Sequence, residues 1–233
     1  MTCIVLATRN AHKVAEIRGI LGGNVRLLSQ QDFPGAPSAV EDAATFAGNA
    51  AKKAEGLAAW LAASAPAARL DRPFHVLADD SGLEVDALRG APGVHSARFA
   101  AEVAEPSRLC GLSQRRDAAA TLPGGAGGTA NSPDAANNAK LLHLLEGVPP
   151  EKRAARFRCV LALAAPGQAT RLFEGHCEGR IALVPAGVGG FGYDPLFVPE
   201  GCAQSFAELG EEVKNKISHR ARALARLRWL VDN

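Results

Sequence analysis

The tetrapeptide Asp79-Asp80-Ser81-Gly82 is the densest chemical feature of the chain. It follows directly on the apolar run Phe74-His75-Val76-Leu77-Ala78. Such a run reads as a strand buried on both faces, which places the two aspartates at a strand's carboxyl end, where open α/β sheets bind ligands. Adjacent carboxylates suit a hard cation such as Mg2+, and either can take a proton from water. A polar turn whose aspartates bond their own backbone accounts for the same residues about equally well.

Three further segments could hold an anionic or aromatic ligand. Thr8-Arg9-Asn10-Ala11-His12-Lys13 joins an expected strand to an expected helix, and a helix start with a lysine beside it can hold phosphate. A capped helix start with a solvated lysine is the plainer account of it. Gly187-Val188-Gly189-Gly190-Phe191-Gly192-Tyr193-Asp194-Pro195 combines close backbone approach with two aromatic faces, in a chain with only 5% aromatic residues. A glycine-rich turn over core aromatics explains it as well. Lys214-Asn215-Lys216-Ile217-Ser218-His219-Arg220 leads into an expected final helix, and cations at that positive end favour an anionic partner.

Alternating elements must position these groups. Cys3 to Ala7 reads as a strand; Val14, Ile17, Ile20 and Leu21 mark a helix stopped by Gly22-Gly23; Val25 to Leu28 is a second strand. Phe46, Ala50, Ala54, Leu57, Ala58 and Leu61 recur at helical spacing behind Thr45 as N-cap, ending by Pro66. Ser132-Pro133-Asp134 opens a helix carrying Leu141, Leu142, Leu144 and Leu145, closed by Gly147. Phe157 to Ala164 and Thr170 to Phe173 read as strands, and Ser218 caps a helix bearing Leu224, Leu227 and Val231. The segment near 102–131, with Arg115-Arg116 and a glycine-rich run, reads as a flexible insertion in one mixed α/β domain over residues 1–233. Gly125 to Ala130 matches G-x-G-x-x-A, but no strand precedes it, so it is set aside.

The 233 residues are 47% hydrophobic and 21% charged, which fits a globular chain with a core of its own. A net charge of +2 gives no ground for a nucleic-acid or membrane partner. The start lacks the pattern of a signal peptide, and the 5 cysteines form no C-x-x-C pair, so a reducing cytoplasm is expected. Cys159, Trp60 and Trp229 are expected to be packing residues.

In order along the chain, LATRNAHKVAEI (6–17), TFAGNAAKKA (45–54), LADDSGLEVDALRGAPGVHSARFA (77–100), NNAKLL (137–142), RFRCVLAL (156–163), GGFGYDPLFVPEG (189–201) and KNKISHRARAL (214–224) strongly resemble the Ham1/RdgB family of inosine/xanthosine triphosphate pyrophosphatases. The resemblance implies an ITPase-like α/β fold with a long central sheet and two lobes around a nucleotide cleft, and a homodimer. It also implies Mg2+-dependent hydrolysis of ITP, dITP and XTP to the monophosphate and pyrophosphate. Carried over by motif, Thr8, Arg9, Asn10, Ala11, His12 and Lys13 would hold the triphosphate. Asp80 would be proton acceptor and metal ligand, and Glu41 the other metal carboxylate. Ser81, Phe191, Gly192, Tyr193, Asp194, Lys214, His219 and Arg220 would contact the nucleotide, with His219 and Arg220 reading the purine 6-position.

Two departures stand out. The family usually has glycine where this chain has Arg9, and glutamate before Asn49, where it has Gly48; glycine there costs the helix about 1 kcal/mol relative to alanine. A Maf-type pyrophosphatase, a silent nucleotide-binding module and an RNA-binding basic tail are the rival readings. The first lacks its serine- and arginine-rich N-terminal loop, the second has no need of metal carboxylates, and the third lacks interleaved aromatics.

Overall fold

A computed structural model describes residues 2–64, 70, 73–101 and 131–231, so Pro66 and almost all of the expected insertion lie outside the described residues. Six strands form one mixed sheet in the order β2-β1-β3-β4-β5-β6. The strands are β1 (Thr2–Leu6), β2 (Val25–Ser29), β3 (Phe74–Val85), β4 (Ala154–Ala164), β5 (Arg171–Ile181) and β6 (Phe197–Pro199). β1 runs parallel to β2 and β3, and the pairs from β3 to β6 are antiparallel. The apolar stretch Cys3 to Ala7 is buried throughout, as a strand covered on both faces must be.

Helix α1 (Ala11–Leu21) begins at Asn10, whose side chain accepts from the N–H groups of His12 and Lys13, and ends at Gly22 with φ 72°. Helix α2 (Phe46–Ala63) is capped by Thr45, which accepts from Gly48 N–H. Its apolar stripe closes one face of the sheet with Val5, Val76, Ala78 and Ala162. On the other face Ile4, Leu77 and Leu161 pack against Ile17 of α1 and against Ala223 and Leu224 of α5 (His219–Ala225). Helix α3 (Asp134–Leu144) and α4 (Phe206–Ile217) complete a third cluster around Leu83, Phe157 and Phe197. The chain closes with α6 (Arg228–Val231).

Several elements differ from their sequence-based expectation. The strand that starts at Phe74 does not end before the aspartates. It continues to Val85 because β4 pairs with it throughout, with Asp79 opposite Leu161 and Asp80 opposite Val160. β4 and β5 also extend beyond their apolar stretches, because Arg156 and Arg158 pair with Glu84, Glu174 and Glu178 on neighbouring strands and Arg156 with Asp86 just past β3. Ser132 does not cap α3. Pro133 holds that position, and the Ser132 hydroxyl accepts from Ala101 N–H at 3.1 Å. The final helix is two, α5 and α6, and α4 was not expected at all, since Gly210 at φ 76° interrupts its periodicity. Cys159 is buried as expected, whereas Trp229 is 42% exposed with the Arg171 guanidinium 4.3 Å from its ring.

One close approach fixes the site. A Cβ on Gly175 of β5 would lie 2.2 Å from His219 O and 2.5 Å from Ala223 N. The start of α5 therefore rests backbone-on-backbone against the sheet, which sets where His219 and Arg220 stand.

Candidate active site

A cleft of about 920 Å³ opens over the middle of β3, between the α1 start, α2 and the 190–194 turn. Every residue nominated from the sequence lines it: Thr8 to Lys13, Glu41, Asp80, Ser81, Phe191 to Asp194, Lys214, His219 and Arg220.

Successive strand residues point to opposite faces, and this separates the two aspartates. Asp79 turns toward α1 and α5. Its Oδ1 meets Lys13 Nζ at 2.6 Å and accepts from Ser81 Oγ at 2.9 Å, and its Oδ2 accepts from Arg220 Nε at 2.8 Å and from the Cys159 thiol at 3.2 Å. Burial pushes this carboxyl up, but Arg220 and Lys13 outweigh it and hold it well below the usual carboxylate range. Asp80 turns toward α2, with Lys53 Nζ at 2.7 Å and Asn49 Nδ2 at 3.4 Å. Burial raises its pKa, only partly offset by Lys53 and Lys13, and Glu41 adds to the rise. The two aspartates thus have different partners: Asp79 is held by two cations and Asp80 by one.

Behind Asp79 runs an alternating chain of charges. Arg220 Nη1 donates to Glu16 Oε2 at 2.7 Å; Glu16 lies 3.6 Å from Lys214 Nζ; Lys214 meets Asp194 Oδ2 at 2.5 Å. Arg220 is 1% exposed, and its Nη2 also donates to Ser81 Oγ at 3.0 Å and to Asp79 Oδ1 at 3.4 Å. Only Arg220 of these cations sits at the positive end of a helix, in the first turn of α5. Lys214 and Lys216 end α4, where positive charge is favoured, and Arg220 is offset by its two carboxylates. The anionic partner expected from that placement is already supplied by the chain itself.

The two aromatics of the glycine-rich turn have different surroundings. Tyr193 belongs to the third core cluster, with its hydroxyl donating to Ser96 O at 2.9 Å. Phe191 alone is half-open; the His12 ring stacks on it at 5.3 Å and Lys214 Nζ lies 4.4 Å from its centroid. The turn is held by α3, where Asp134 accepts from Gly192 N–H at 2.6 Å and Asn138 donates to Gly192 O at 2.9 Å. His219 stacks on Phe157 at 4.8 Å, and its buried Nδ1 has no hydrogen-bond partner among the described residues.

Burial, then Arg220 and Lys214, hold His219 well below 6.5, so it is neutral in the folded protein. The unfolded chain binds a proton there that the folded chain refuses, so stability is full above pH 6.5 and falls as pH drops below it. The expected slope is about 1.4 kcal/mol per pH unit. Urea denaturation at pH 7.5 and 5.5 measures it, and His219→Gln is expected to flatten that part of the curve.

Arg9 lines the cleft, and its guanidinium donates to Ala36 O at 2.8 Å and Ser38 Oγ at 2.9 Å. Gly48 does not simply leave space near the site: a Cβ there would lie 2.8 Å from that of Ala43. Lys53, Asn49 and Glu16 were missed. Lys53 and Asn49 lie one turn apart on the buried stripe of α2, and polar residues interrupting an apolar stripe were the available signal. Glu16, on one short helix, carried none.

The model described as Ham1 family matches residues 4–229. The chain belongs to the Ham1 family. A relative from Geobacillus kaustophilus named dITP/XTP pyrophosphatase is 46% identical over 96% of this chain and 91% of its own length. Another of that name from Geobacter sulfurreducens is 45% identical over 98% and 96%. Among solved structures, the Staphylococcus aureus Ham1 protein superposes with TM-score 0.71 at 31% identity, covering 99% of this chain and 98% of that one. A Coxiella burnetii HAM1 protein gives 0.72 at 34% identity, covering 100% and 99%. The mixed six-stranded sheet of this chain is thus a Ham1 fold.

Proposed function

We propose that this Ham1 chain hydrolyses the non-canonical purine triphosphates ITP, dITP and XTP, water and nucleotide giving the monophosphate and pyrophosphate. The observation that carries the chemistry is Asp80: a buried carboxyl with a raised pKa on the floor of a cleft large enough for a nucleotide.

The cleft suits a divalent cation. Arg9, Lys13, Lys52, Lys53, Lys214 and Arg220 are balanced along its wall by Glu41, Asp42, Asp79, Asp80, Asp134 and Asp194. A triphosphate brings about four more negative charges, so a positive charge beyond the chain's own is needed. Glu41 and Asp80 approach one ammonium, that of Lys53, at 3.5 and 2.7 Å. Two convergent carboxylates are what Mg2+ takes from a protein when substrate phosphates complete its shell. We assign Glu41 and Asp80 to it. When bound, Mg2+ supplies charge that polarises the phosphate oxygens and offsets the charge developing on pyrophosphate.

The rest falls to the chain. Asp80 orients a water and takes its proton as the water attacks the α-phosphorus, and pyrophosphate leaves in line. Lys13 and Lys53 lie beside the phosphate path and stabilise the departing charge. Asn10 already accepts from two first-turn N–H groups of α1, so phosphate binding rests more on these lysines than on the helix end. Phe191 offers the base a stacking face once His12 yields it. His219 Nδ1, buried with no partner among the described residues, meets the purine's polar edge, and Arg220 holds His219's helix against Asp79. The family likeness also supports a cytoplasmic homodimer; no helix among the described residues is long and apolar enough to cross a membrane.

Hydrolysis in H2(18)O tests the site of attack. The label is expected in the monophosphate; label in pyrophosphate would mean attack at the β-phosphorus and would remove Asp80's assigned geometry.

A further inference from the structure

Residues 36–43 form a strap that belongs to no helix or strand, line the cleft from Pro37 to Asp42, and carry Glu41. Among the described residues the only backbone–backbone bond of the strap is Ala36 N–H to Phe33 O at 3.1 Å. Side chains hold everything else. At its entry Arg9 donates to Ala36 O and Ser38 Oγ, and Gln30 donates to Pro37 O at 2.6 Å. Arg9 is itself fixed, since its carbonyl accepts from Gln31 Nε2 at 2.7 Å. In its middle Arg98 Nη2 donates to Glu41 O at 3.4 Å and Lys52 Nζ to Asp42 Oδ1 at 2.5 Å. At the exit Ala43 N–H donates to Asn49 Oδ1 at 2.9 Å, and the Ala43 methyl seats where Gly48 has no side chain.

The two residues that interrupted the sequence motifs, Arg9 and Gly48, therefore act at opposite ends of one segment. A strap without ladder bonds holds its place only through such side-chain contacts. The planar guanidinium fork serves two acceptors at once, which a lysine ammonium on a flexible stem does not reproduce.

We propose that Arg9 is a positioning residue for Glu41: it clasps the strap at Ala36 and Ser38 while Ala43 rests on bare Gly48, and so sets Glu41 beside Lys53 and Asp80. The coupling to metal rests on the assignment of Glu41 given above; the clasp itself does not.

Hydrogen–deuterium exchange on the metal-free protein reads the clasp directly. Arg9→Ala is expected to speed exchange of the two hydrogen-bonded strap amides, Ala36 and Ala43, by about tenfold, with β3 and β4 amides unchanged. Arg9→Lys is expected to restore little of the protection, and Gly48→Ala to speed exchange at the exit end. Titration with Mn2+ in the absence of nucleotide is expected to show about five- to tenfold weaker binding in Arg9→Ala, matching the direction seen in Glu41→Gln. Strap exchange equal to wild type in Arg9→Ala overturns the clasp. Faster exchange with unchanged Mn2+ affinity overturns its coupling to Glu41. If Glu41→Gln also binds Mn2+ as the wild type does, that failure belongs to the metal assignment and not to Arg9.

Discussion

Asp80→Asn is expected to lower kcat for ITP by about 10²- to 10⁴-fold, the range a positioned general base supplies, while the protein stays folded. The amide keeps the shape and can still accept from Lys53, but it cannot take a proton. Two effects on stability oppose each other. Burial raises the pKa of Asp80, so replacing that carboxylate removes a desolvation cost, while Lys53, itself raised, loses a charged partner. The unfolding free energy is therefore expected to stay within about 1 kcal/mol of wild type. The acidic limb of the pH–rate profile, set by a carboxyl above its ordinary range, is expected to vanish from whatever activity remains. Near-wild-type turnover in Asp80→Asn would remove the base from the mechanism.

Arg220→Met is expected to act on the fold first and on the reaction through it. The arginine is 1% exposed and joins Asp79 to Glu16 at the centre of the alternating chain from Lys13 to Asp194. Methionine of similar length leaves two buried carboxylates short of their shared cation, and breaking a buried pair in this way costs about 3–5 kcal/mol. Lys13 and Lys214 remain as partial partners, which favours the lower end of that range. Stability is expected to return in part when Asp79→Asn and Glu16→Gln are added, because the unpaired charges go with them. A wild-type unfolding midpoint with an altered ratio of ITP to ATP turnover would instead make Arg220 a reader of the base.

What was legible in the chain follows from how local each signal is. The turn at Thr8 to Lys13, the Thr45 cap and the stripe of α2 are written within a few residues, and the structure has them where the spacing puts them. Asp79 and Asp80 read as lying just past the end of a strand because nothing local announces that β4 will pair with them. Only that pairing turns adjacent carboxylates into residues of opposite faces with opposite pKa shifts. Glu16 and Arg220 are 204 positions apart, so their bond exists only once α5 has settled on Gly175. Arg9 looked like a cation aimed at phosphate; its acceptors lie in a loop whose path no periodicity describes.

The most direct test of the central claim is pyrophosphate release from ITP, XTP, ATP and dTTP side by side, with and without Mg2+. Rapid release from ITP and XTP that depends on the metal, with ATP and dTTP slower by orders of magnitude, is the predicted result. Release chiefly from dTTP, or tight binding of ITP with no release at all, would contradict it.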